Sequence, residues 1–105
     1  MSTTEPTYDV VWPKSTRGVQ RRRLATRLDD LAGKRVAFLW DYLFRGDEIF
    51  PVMAAELTAR FPDIELVGYE VFGNTHGGDE AEMVAGLPHG LAQRHIDAVV
   101  SGMGC

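Results

Sequence analysis

The sequence has little of what usually marks an active site. A single cysteine, Cys105, stands among 105 residues, so no internal disulfide can form. Three histidines scattered at positions 76, 89 and 95 give no spacing of a structural zinc site, and no metal is expected. No apolar run approaches a membrane span, and the start "MSTTEPTYDVVWP" lacks the basic-then-apolar order of a signal peptide. These absences lead us to expect a soluble, cytoplasmic chain of about one domain. Internal repeats beyond a β-α rhythm and low-complexity segments are also missing.

Acidic residues are scarce only at the start. Residues 1–35 carry eight Lys and Arg against four Asp and Glu, whereas residues 36–105 carry three against eleven, so a net of +4 faces a net of −8. The basic stretch centres on "RGVQRRRLATR". Clustered guanidinium groups attract phosphates, but no aromatic residue interleaves with these arginines, which argues against single-strand nucleic-acid binding. The expectation is instead that this arm lies on an acidic surface, its own or a partner's.

What is present begins after Gly33. "KRVAFLWDYLF" contains a continuous apolar run, the pattern of a strand covered on both faces of a parallel sheet. "GDEIFPVMAAELTARFPD" then sets Ile49, Met53, Leu57 and Phe61 on one helical face, with Asp47 as N-cap, Pro62 as stop and Pro51 blurring the start. "IELVGYEVFG" reads as a second strand and "DAVVSG" as a third. Between them, Gly86, Pro88 and Gly90 predict two short helices, one near Glu80 to Ala85 and one after Pro88, with His89 and His95 on helix surfaces. The predicted strands are Val36 to Trp40, Glu65 to Val71 and Ala98 to Ser101.

The order β-α-β-α-β predicts an α/β fold with a three-layer parallel sheet, one Rossmann- or flavodoxin-like half that another segment or chain completes. Residues 1–33 read as a basic amino-terminal arm and 34–105 as the α/β domain. Within the arm, "YDVVWP" suits an edge strand and Leu24, Leu28 and Leu31 a short helix; a mostly extended arm fits equally.

Ligands of open parallel sheets bind at the carboxyl ends of the strands. Those ends carry Trp40, Asp41 and Tyr42, then Gly73, Asn74, Thr75 and His76, then Ser101 to Cys105 with Gly102 and Gly104 among them. Asp41 either orients a polar group in the crevice or caps nearby backbone amides. His76 suits acid-base work better than His89 or His95, its plain alternative being a solvated loop residue. Gly102 and Gly104 let backbone turn tightly or approach a ligand. A helix beginning after them would lower the Cys105 thiol pKa. The Trp40, Tyr42 and Phe44 cluster suits core or interface better than a stacking platform. "GMG" and "NTHGG" are too short and common to name a cofactor.

"LDDLAGKRVAFLWD", "RGDEIF" and "DAVVSGMGC" together resemble the amino-terminal part of the UGSC-motif family, α/β proteins named for selenocysteine or cysteine followed by Gly-Ser-Cys. The resemblance puts Cys105 at the selenocysteine or first cysteine, with Gly104 where an aspartate is common. It implies thiol or selenol chemistry, and a continuation carrying Gly-Ser-Cys, a helix and a final strand, in the same molecule or a partner subunit.

Two functions follow as expectations. In the first, the chain is a subunit or fragment of a small-molecule enzyme with Cys105 as nucleophilic or redox thiol and Asp41 or His76 assisting proton movement. In the second, it is a non-catalytic interaction subunit that completes a partner's sheet, with Cys105 structural. Bare sheet edges in either case favour an oligomer.

Overall fold

Strand β1, Arg35–Trp40, is the centre of the molecule. A computed structural model describes residues 4–14 and 18–104 of the chain. β1 is followed by helix α1 (Gly46–Arg60), strand β2 (Glu65–Val67), a single 3-10 turn at Tyr69–Val71, helix α2 (Glu80–Gln93) and strand β3 (Ala98–Gly102). The three strands form one parallel sheet in the order β2-β1-β3. β1 is paired on both edges, and all its residues from Val36 to Trp40 are buried, which is why its sequence is apolar without alternation.

The strands are brought into register at their amino ends by Arg35. It pairs with Glu65 on β2 in the ladder, and its Nε donates to the Glu65 carboxylate at 2.5 Å. Its Nη1 donates to the Arg94 carbonyl at 2.6 Å, and its backbone N donates to Asp97 Oδ2 at 2.9 Å, just ahead of β3. The Arg35–Glu65 pair is exposed, so its contribution is to alignment more than to stability.

α1 covers one face through Phe50, which is buried against Phe38 at a ring separation of 5.0 Å. Met53, Ala54 and Leu57 complete that face. Of the stripe expected from Ile49, Met53 and Leu57 pack on the core, but Phe50 takes the place of Ile49, which is 39% exposed. The helix starts at Gly46, with Arg45 at its N-cap and no side-chain cap, so Asp47 sits in the first turn, where its charge suits the helix dipole.

Two further expectations are corrected. β2 stops at Val67, because the chain turns at Gly68 into the 3-10 turn and returns Tyr69 beneath the core instead of continuing to Val71. α2 runs unbroken through Gly86, Pro88 and Gly90. Met83, Leu87 and Leu91, four residues apart, are half-buried, and Phe72 lies against Gly90, so packing of one face outweighs the lost hydrogen bond at Pro88. His89 is exposed on this helix, while His95 lies beyond its end in a left-handed conformation.

Among the described residues before Gly33, backbone is extended or irregular, so neither the edge strand nor the short helix forms. Largely because of this segment the long dimension reaches 85 Å and the radius of gyration 22.1 Å, against about 13 Å for a compact chain of this size. No helix is long and apolar enough to cross a membrane among the described residues.

Candidate active site

In the order β2-β1-β3 the chain leaves β1 toward one side of the sheet and crosses back to the other, so the direction of winding changes between β1 and β3. Such a change is the switch point at which doubly wound sheets form their crevices. Asp41 stands there, immediately after β1, and its amide donates to the Gly102 carbonyl at 3.1 Å. Its carboxylate reaches across to the loop after β3. Oδ1 accepts from the amides of Leu43 (3.1 Å) and Met103 (3.0 Å), and Oδ2 accepts from that of Gly104 (2.9 Å).

Burial pushes the Asp41 carboxyl up, but the amides of Met103, Leu43 and Gly104 outweigh it and hold the group below the ordinary aspartate range. Asp41 is therefore ionised at neutral pH. Of its two sequence readings, the geometry realises the amide cap, and it does so across 62 and 63 residues of chain.

The other edge of β1 is flanked by the loop after β2. Asn74 bridges Trp40 in parallel, and the Thr75 amide donates to the Trp40 carbonyl at 3.1 Å. Asn74, Asp41, Gly102 and Gly104 thus share one rim of the sheet. The Asn74 carboxamide oxygen is already engaged, accepting from the His76 amide at 2.8 Å. The His76 ring is exposed, with Nδ1 at 3.8 Å from the Glu80 carboxylate at the start of α2, an ion pair only when the ring is protonated.

Trp40 contributes backbone to this rim, whereas its side chain is core. The indole is 7% exposed, stacks on Tyr42 at 4.4 Å, meets Tyr69 edge-on at 4.8 Å, and donates from Nε1 to the Leu43 carbonyl at 2.9 Å. Burial, then the nearby Glu70, Tyr42 and Asp47, push the Tyr69 phenol up, so it stays protonated well into alkaline pH. The Asp41–Arg45 turn sets both Tyr42 and Phe44 at positive φ, 60° and 56°, a conformation that bulky residues adopt at a cost. Phe44 projects into solvent, and with Ile49, Met103 and Gly104 it lines an open apolar recess.

Cys105 lies outside the described residues. Sequence reasoning placed Tyr42 and Met103 at the strand ends and Phe44 in an aromatic cluster, but assigned neither the Met103 amide to Asp41 nor a strained turn to Tyr42 and Phe44. Nothing local marks them, because their roles depend on contacts between two strand ends distant in sequence. No group of three metal-ligating side chains comes together among the described residues.

The model of the UGSC family matches residues 9–105. The chain belongs to the UGSC family. The match is longer than the stretch from Leu28 on which the sequence resemblance rests, taking in most of the amino-terminal segment as well. No curated protein and no solved structure matches this UGSC family chain.

Proposed function

We propose that this UGSC family chain supplies the thiol of a small-molecule enzyme, with Cys105 as nucleophile or redox group at the carboxyl ends of the parallel strands. One observation carries the reading: the Asp41 carboxylate binds the amides of Met103 and Gly104, the two residues that precede Cys105. A glycine-rich loop would otherwise sample many conformations, and a reacting group needs a fixed one. Asp41 is then a positioning residue. Its low pKa keeps it an acceptor at neutral pH, which suits holding a loop and does not suit donating a proton. The recess of Phe44, Ile49, Met103 and Gly104 offers an apolar surface to the unreactive part of a substrate. His76 is available as an exposed imidazole on the same rim, 3.8 Å from the Glu80 carboxylate.

The test is the rate of Cys105 alkylation by iodoacetamide, followed by intact mass from pH 5 to 10. An activated thiol reacts with a midpoint below the free-cysteine value of about 8.5. Asp41→Asn should return the profile toward that of an unstructured cysteine peptide, and Cys105→Ser should abolish labelling with the circular dichroism spectrum unchanged. A wild-type profile matching the peptide's would overturn the reading.

A further inference from the structure

A separate cavity, of about 220 Å³, opens between α1, β2 and the 3-10 turn. Phe38 and Phe50 form its floor, Ala54, Leu66 and Tyr69 its sides, and the exposed Glu70 stands at its rim. All of its walls come from residues 38–70, on the β2 side of β1, whereas β3 lies along the opposite edge. The cavity therefore needs nothing that follows β3, and neither Asp41 nor Met103 takes part in it.

Its walls are aromatic and carry no positive charge. The rings of Phe38, Phe50 and Tyr69 follow one another at centroid separations of 5.0 and 5.6 Å with their planes tilted by 41° and 38°, so they bend round the space instead of stacking flat. The face of such a ring is the negative end of its quadrupole. No Lys or Arg lines the cavity, and Glu70 forms no ion pair among the described residues. Gly68 leaves the room that this carboxylate occupies. Its backbone, at φ −68° and ψ 156°, is open to any residue, but a Cβ there would collide with Glu70 Oε2. After burial, the charges of Glu70, Tyr42 and Asp47 push the Tyr69 phenol up, so two carboxylates lay a negative potential on this wall.

We infer that the cavity binds a small methylated ammonium group, held against the Phe38, Phe50 and Tyr69 rings with the Glu70 carboxylate as its counter-charge. Ring quadrupoles and carboxylate alike favour a cation and oppose an anion. The walls also select for methylation. A primary ammonium brings three N–H donors, which the carbons of Phe, Ala and Leu cannot accept, whereas a trimethylammonium group has none to leave unpaired. The volume lies below the roughly 300 Å³ at which drug-sized sites begin, so it suits a head group and not a large molecule.

An NMR titration of the full chain with choline tests this, read at the Ala54 and Leu66 methyl groups and the Phe50 and Tyr69 rings. Choline should give saturable shifts at these residues. Its neutral carbon isostere dimethylbutanol, and ethanolamine with its primary ammonium, should each bind more weakly by roughly tenfold or more. Glu70→Gln should weaken choline by about twofold to fivefold, the worth of one exposed charge, and leave the isostere unchanged. That side chain is exposed, so the circular dichroism spectrum should not change. Ala54→Leu places extra carbons in the cavity and should abolish the choline shifts at Leu66 and Tyr69. Shifts that do not saturate overturn the inference. So does equal binding of the isostere or of ethanolamine, a Glu70→Gln chain that binds choline as the wild type does, or choline binding that survives in folded Ala54→Leu. Cys105 takes no part in these measurements, so their failure leaves the alkylation result standing.

Discussion

Asp41 uses two oxygens to accept three amides, and an asparagine cannot repeat this. With its oxygen toward Leu43 and Met103, the new NH2 group would face the Gly104 amide, donor against donor; flipped, it would face the other two. Asp41→Asn should therefore speed hydrogen exchange at the Met103 and Gly104 amides by roughly tenfold or more, the signature of local opening, with exchange in β1 unchanged. The carboxylate also sets a pH dependence. Its folded pKa lies below the unfolded value, so its contribution is complete above the ordinary aspartate range and is lost as pH falls through the folded pKa. The melting temperature of the wild type should thus fall more steeply than that of Asp41→Asn as pH drops below the ordinary aspartate range of about 4. Parallel slopes would show that the clasp adds nothing to the folded state.

At the scale of elements, packing explains what local preference does not. Gly46 opens α1 directly against the Trp40 indole, and a Cβ there would collide with Nε1 and the adjoining ring carbons. Gly46→Ala should destabilise the protein by about 1–3 kcal/mol in urea titration, the usual cost of overpacking. Pro88 has the opposite expectation. It is exposed inside α2 and removes one helical hydrogen bond, so Pro88→Ala should raise stability by up to about 3 kcal/mol. The unbroken α2 shows the limit of reading breakers from sequence. Gly86 and Gly90 look like stops, yet Gly90 gives Phe72 room to approach, and Arg94 closes over the Phe72 ring at 5.5 Å. β1 was legible because burial on both edges and both faces demands an uninterrupted apolar run. The 3-10 turn at Tyr69–Val71 was not, since its residues are as strand-like as those of β2 and only the core beneath Trp40 draws Tyr69 away. The rim of the site followed from the parallel topology, which gathers strand ends wherever the residues are placed. The partners of Asp41 did not, because a carboxylate after one strand and a Gly-x-Gly after another carry no sign that they meet.

For the whole molecule, stability rests on a thin core, and Phe50 is the helix residue that reaches its centre. Phe50→Ala should cost about 3–5 kcal/mol, a large share of the 5–15 kcal/mol typical of a domain, and thermal melts should show the loss directly. Against that small interior stands a long exposed segment that carries the chain's second tryptophan. Trp12 is 75% exposed in the arm, and Trp40 is 7% exposed beneath the candidate site. The two indoles therefore sit in opposite environments, and ordinary fluorescence can separate them. Acrylamide reaches the exposed Trp12 freely, while Trp40, stacked on Tyr42 with its N–H bound to the Leu43 carbonyl, emits from a shielded setting at shorter wavelength. Loss of quenching at the red edge reports where the arm is. A shift at the blue edge reports whether the turn after β1 has kept its shape. The protein thus carries its own pair of optical probes, one for its surroundings and one for its chemistry, with no label added to either.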